Sequence, residues 1–195
     1  MELIAITICV IFLIKNIKIS RNFTGFIGEL YVNNILKKVK GTTYVFRDIA
    51  LPSSFGTTQI DHILITKKGV FVFETKNYQG IISGQSRDKK WTQIINNNSY
   101  SFMNPIHQNY KHTEACVENL KINKNKVHSV VIFLNKAKLN TRISNVMNAK
   151  DILNYLDKFN QDVLTKDEVQ QLTQKLYNTK LHAISRTAHP NAPVK

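Results

Sequence analysis

The chain is short of cysteine and short of acid. It carries two cysteines, Cys9 and Cys116, in 195 residues. They stand far apart, with no partners at zinc-ligand spacing, so neither a disulfide framework nor a zinc site is indicated. A reducing compartment is the simplest one for such a chain. Glycine-rich phosphate loops, serine or cysteine triads, internal repeats and low-complexity tracts are all missing. No unbroken apolar run reaches the ~20 residues a helix needs to cross a bilayer. The 13 Asp and Glu stand against 27 Lys and Arg, a formal net charge of +14. That imbalance favours a polyanion, either nucleic acid or an anionic membrane surface, over a merely solvated lysine-rich surface.

The remaining composition is ordinary. An apolar share of 43% with 21% charged residues fits a globular protein, and 195 residues suffice for one domain with additions at its ends. One such addition is the apolar run Leu3–Ile14, followed by Lys15, Lys18 and Arg21. Counted from Met1 to Ile19, with the two lysines snorkelling, it approaches a minimal span. Glu2 in place of a basic start, and no small-residue cleavage site, argue against a secretory signal. We expect residues 1–20 to form a hydrophobic helix that anchors the chain in a membrane. The basic flank would keep the body on the cytoplasmic side. A buried element of a soluble cytoplasmic protein is the alternative.

The most informative stretch is Gln59–Lys76, QIDHILITKKGVFVFETK. Its β-branched and aromatic residues predict two strands, 59–66 and 69–76, joined at Lys67-Lys68-Gly69. Alternation puts Gln59, Asp61, Ile63 and Ile65 on one face, and Val70, Val72, Glu74 and Lys76 on one face of the second strand. If Thr66 pairs with Gly69, Asp61 falls opposite Glu74 and Gln59 opposite Lys76. A bulge at Gly69 would instead send the two carboxylates to opposite faces. In the tight register two carboxylates with Cβ atoms roughly 5 Å apart share an otherwise apolar face. Either one stays protonated or a divalent cation lies between them, and the cation is the more economical answer.

Asp61 followed by Glu74-Thr75-Lys76 resembles the core of the PD-(D/E)XK nucleases. More narrowly, the chain resembles the NERD (nuclease-related) domain. The matching pieces are Gly25-Phe26-Ile27-Gly28-Glu29, Gln59-Ile60-Asp61-His62, Gly69 to Gly80, Trp91 and Asn104-Pro105-Ile106-His107-Gln108-Asn109. Ile60 stands where the name of the superfamily places a proline. The resemblance covers about Gly25 to Leu134. It implies an α/β fold, a restriction-endonuclease-like mixed β-sheet flanked by helices, behind the N-terminal hydrophobic helix. It also implies Asp61 and Glu74 as metal ligands, Lys76 as an aid to the chemistry, and Glu29 as a further carboxylate beside the metal. Gln108, in the Asn-Pro-x-x-Gln segment, would orient phosphate or water.

Read in order, Gly25 to Val39 is helical, with Glu29, Val32, Leu36 and Val39 on one stripe. Glu29 then reaches solvent, supports the helix start, or serves the site. Thr42–Leu51 is a strand, Ser53–Gly56 a loop, Ile81–Gly84 a short strand, and Arg87–Lys90 a turn before a packing Trp91. Asn96–Ser101 reads as a loop. Asn104-Pro105 opens a helix to about Lys124 with Ile106, Tyr110, Thr113, Val117 and Leu120 buried. Gln108 and His112 fall on another, exposed side, and His62, His107 and His112 read as structural. Val127–Asn135 is a buried strand, Lys136–Ser144 a basic loop, and Val146-Met147 a short strand. Asp151–Phe159 and Thr165–Leu181 are helices, the second opened by a Thr165/Glu168 capping box. The expected organisation is an anchor over 1–20, a nuclease-like core over 24–135, a helical extension over 136–182 and a frayed tail over 183–195.

Together these readings predict a Mg²⁺- or Mn²⁺-dependent nuclease, with DNA favoured over RNA as partner and substrate. Asp61, Glu74 and the Thr75 carbonyl would hold the cation, Glu29 would support a second ion, and Lys76 would steady hydroxide or transition state. Gln59 and Gln108 would orient water or phosphate. The rival is a nucleic-acid-binding, membrane-tethered scaffold of the same fold with little or no turnover.

Overall fold

The structure is a computed structural model that describes residues 21–54, 56–134 and 136–188, with side chains described over 25–179 of these. The expected membrane helix over 1–20 lies outside the described residues. Among the described residues no helix is long and apolar enough to cross a membrane.

Helix α1 (Arg21–Leu36) leads into three antiparallel strands, β1 (Thr43–Ser53), β2 (Gly56–Thr66) and β3 (Gly69–Lys76). The β2–β3 turn has two residues, Lys67 and Lys68, between the paired Thr66 and Gly69. Gly69 takes φ +125°, a conformation open to glycine and costly for other residues. The tight register therefore forms. A second set of strands follows: β4 (Gly80–Ser83), β5 (Lys90–Ile95) and β6 (Asn98–Met103). Helix α2 (Pro105–Leu120) then returns the chain to β7 (Val127–Phe133), parallel to β3. Strands β8 (Ala137–Asn140) and β9 (Val146–Asn148) add one strand to each sheet, and α3 (Ile152–Leu156) and α4 (Lys166–Ala188) follow.

The larger sheet has the order β1-β2-β3-β7-β9 and the smaller β6-β5-β4-β8, both mixing parallel and antiparallel pairs. Strand β3 lies at the centre of the larger sheet, and its residues Gly69 to Glu74 are all buried. A strand covered on both faces reads as a continuous apolar run, and GVFVF does. On one face Ile63, Ile65, Val70 and Val72 pack under Ala115, Cys116 and Leu120 of α2 and Val169, Leu172 and Leu176 of α4. On the other, Leu64, Phe71, Phe73 and Ile132 pack under Val32 and Leu36 of α1 and Ile152 and Leu156 of α3. A third cluster joins the sheets, with Trp91 of β5 stacked on Phe133 of β7 at 6.2 Å and 6°. Each fully buried Leu, Ile or Phe stabilises the fold by ~1.5–3 kcal/mol, less its ordering entropy.

Several sequence expectations are corrected here. Of Asn96–Ser101, expected as loop, the part from Asn98 belongs to strand β6, because Asn96 (φ +47°) and Asn97 (φ +64°) make a two-residue hairpin turn with both residues left-handed. Within Lys136–Ser144, expected as loop, Ala137–Asn140 pairs with β4. Helix α2 ends at Leu120 rather than Lys124, on a left-handed Lys121. Its buried face is Asn109, His112, Thr113, Cys116 and Leu120, while Tyr110 of the expected stripe is 52% exposed. Helix α4 continues to Ala188, past the expected start of the tail at Ala183. The capping box is present: Thr165 N–H donates to Glu168 (2.7 Å) and Glu168 N–H to Thr165 Oγ1 (3.1 Å).

Candidate active site

Three carboxylates line up across the sheet. The β2–β3 ladder runs to His62–Phe73, and one pair further along the same register is Asp61 with Glu74. The β1–β2 ladder pairs Arg47 with His62 and Ile49 with Ile60, which leaves Asp48 opposite Asp61. Asp48 takes φ +58°, a left-handed conformation uncommon for a residue inside a strand. Its carboxylate accepts a hydrogen bond from the Gln59 side-chain amide. Gln59 is therefore turned to Asp48 and is exposed, rather than facing Lys76 as the hairpin alone suggested.

Glu74 is 2% exposed. Its Oε1 lies 2.6 Å from Lys76 Nζ, and that ammonium also donates to Gln108 Oε1 at 2.9 Å. Glu74 Oε2 is buried without a hydrogen-bond partner, 3.4 Å from His112 Nδ1. Asp61 accepts from the Thr75 backbone N–H at 2.7 Å, which fixes one carboxylate against the strand that carries the other. That N–H is the contact Thr75 makes with the acidic pair.

The electrostatics follow from this packing. Burial raises the Glu74 pKa to about 7; Asp61 and Glu29 push the same way and Lys76 opposes them. Asp61 is raised too, by burial first, with the Thr75 N–H and Lys76 lowering it and Asp48 raising it. Glu29, on α1, is half-buried and raised by desolvation, then by Asp61 and Asp48, with Arg47 opposing. It belongs to the same field of negative charge. Among the described residues, however, no three His, Cys, Asp or Glu side chains come together as a ligand set. His112 and His62 are buried and lowered to about 4 by desolvation, so both are neutral at pH 7.

Helix α2 aims the polar side of the site. Asn104 caps it, accepting from Ile106 N–H (2.9 Å) and donating to the carbonyls of Gln85, Ser86 and Asp88. One turn on, buried Asn109 donates to Val72 O, Ser129 Oγ and Val130 O at 2.9–3.0 Å, pinning the helix across β3 and β7. Gln108 and His112 then face Lys76 and Glu74. Apolar periodicity predicts an exposed side for these two, and nothing in that apolar pattern singles out Asp48. A β1–β2 pairing written out from the sequence would have shown Asp48 opposite Asp61.

Comparison with known proteins adds family evidence. A family model described as "Nuclease-related domain" matches residues 24–134. An uncharacterized protein of Bacillus anthracis is 37% identical over 166 residues, covering 82% of this chain and 76% of that protein.

Proposed function

The chain belongs to the nuclease-related domain family, and from that premise we propose that it is a metal-dependent nuclease hydrolysing phosphodiester bonds, with DNA the favoured substrate. The observation that carries this reading is the pairing of half-buried Asp61 with buried Glu74, with Lys76 Nζ 2.6 Å from Glu74. Such an arrangement is unfavourable for stability and suited to phosphate chemistry, where carboxylates and one nearby cation act together.

The donors suit a hard divalent cation. Glu74 Oε2 is buried and unpartnered, Asp61 lies beside it, and Mg²⁺ is commonly held by one or two carboxylates with water filling the remaining positions. Asp61 and Glu74 are the proposed ligands, with the Thr75 carbonyl a further candidate. A bound Mg²⁺ or Mn²⁺ supplies Lewis acidity, lowering the pKa of a water and neutralising charge on the phosphate.

The chain's own groups do the rest. Lys76 donates to the oxygen on which charge accumulates as the phosphate is attacked, and Gln108 holds that ammonium in place. Glu29 and Asp48 deepen the negative potential that draws a cation in. Gln59 acts through Asp48, as a positioning residue.

Lys76→Ala should lower plasmid cleavage in Mg²⁺ by about 10²–10⁴-fold while circular dichroism stays that of the parent. Equal cleavage by both proteins would remove the catalytic assignment. Calorimetry with Mn²⁺ on the parent and on Asp61→Ala separates the rival: metal binding without cleavage of DNA or RNA would favour a scaffold.

A further inference from the structure

Beside Lys76 a cleft of about 750 Å³ opens between the end of β3, the start of α1 and the inner face of the smaller sheet. Sites for small molecules and nucleotides commonly measure ~300–1,000 Å³. Its floor is one face of the β5–β6 hairpin. Trp91 pairs with Phe102 there, and Gln93 with Tyr100. The inner row is locked: Trp91 stacks on Phe133, and Tyr78 meets Phe102 edge-on at 4.7 Å. The outer row is open. Tyr100 is 53% exposed although it lies on the face that lines the cleft. Beside it, Gln93 is fixed by donating its amide to the Gln79 carbonyl at 2.9 Å. Lys136, like Lys76, lines the cleft.

An aromatic ring left half open inside a concave, partly polar cleft lacks the packing that normally hides it. It offers a flat face for a planar ligand. Phosphates suit the two lysines of the lining, and a base suits the open ring. Stacking on a fixed aromatic is how proteins hold unpaired bases, since a base inside a duplex has both faces covered.

We propose that this cleft receives an unpaired nucleotide next to the scissile phosphate, with Tyr100 stacking on its base and Lys136 contacting its backbone. The inference rests on the nuclease reading and gives it a substrate class: single strands, tails and gaps in preference to uninterrupted duplex. The smaller sheet is then a specificity element carried by the hairpin that follows the catalytic strand.

The test compares the 195-residue chain with Tyr100→Ala and Tyr100→Phe on a blunt duplex, the same duplex with a single-stranded tail, and the single strand. Parent and Tyr100→Phe should cleave the unpaired substrates at least about tenfold faster than the duplex, and Tyr100→Ala should bring that ratio near one. A parent without the preference, or a Tyr100→Ala protein that keeps it, overturns the inference and leaves the nuclease reading standing. If no protein cleaves any substrate, the nuclease reading fails by itself. The cleft is then judged by binding of a 2-aminopurine-labelled single strand without metal. Quenching by the parent that is lost in Tyr100→Ala supports it; quenching that persists, or is absent from the parent, overturns it.

Discussion

Glu74 serves the proposed chemistry at the expense of the fold. Its carboxyl is buried beside Asp61, and its pKa rises from 4.5 to about 7. A raised carboxyl pKa means that the folded state binds the proton more tightly than the unfolded one. The favourable contribution is complete below pH 4.5 and is lost as pH rises through 7. Glu74→Gln should therefore raise the Tm of metal-free protein at pH 8 by a few degrees and give little gain at pH 4.5, as scanning calorimetry would read. Mn²⁺ should raise the Tm of the parent and leave that of Glu74→Gln unmoved, because only the parent offers both carboxylates. A Glu74→Gln protein less stable than the parent at pH 8 would contradict the conflict described. Asp61 and Glu74 were legible as a pair because a two-residue turn and strict alternation determine their register. His112 was not: apolar periodicity ranks a histidine with the exposed residues, yet here its side faces the acidic pair.

Among the elements, α2 carries the polar half of the site, and two asparagines set its position. Asn104 is fully buried, and its side chain both caps the helix and ties down three carbonyls of the loop before β5. Asn104→Ala should cost about 2–3 kcal/mol in urea unfolding, one part for the lost cap and the rest for carbonyls left unpaired. A loss under about 0.5 kcal/mol would show that the loop finds water or other partners. The helix was visible from Asn104-Pro105, yet its rotation was not. The stripe through Tyr110 is right at Thr113 and Leu120 but passes over Asn109, which is inside because Val72 O, Ser129 Oγ and Val130 O accept from its side-chain amide. Strand β6 escaped for a related reason. Its polar residues Asn98, Ser99 and Ser101 lie in a sheet with an exposed face, so no apolar pattern marks them. The Asn96-Asn97 turn was the available signal. Gly80 (φ +81°) confines the chain just before β4, where a Cβ would overlap the Ile94 carbonyl.

The whole chain carries a net charge of +14, while the candidate site itself is acidic. In the proposed nuclease the lysines would bind phosphates while the carboxylates leave a local place for a cation. Affinity for single-stranded DNA should fall about 50-fold between 50 and 200 mM salt if four phosphates are neutralised. A flat titration would show that the basic surface is not the contact surface. The overall plan was readable because β3 is apolar from Gly69 to Phe73, β7 is apolar from Val130 to Phe133, and the capping residues of α2 and α4 are distinct. The rotation of α2 escaped because it is set by contacts far apart in the chain. That separation also governs how the protein is made. Strand β3 pairs at once with β2, but its other neighbour, β7, begins at Val127, about 50 residues after Lys76. At ~5–20 residues per second, a ribosome takes roughly 3–10 s to supply it. Throughout that interval the strand bearing Glu74 and Lys76 keeps one apolar edge unpaired. The newborn chain is thus prone to sticking to its neighbours at the very strand that carries the proposed chemistry.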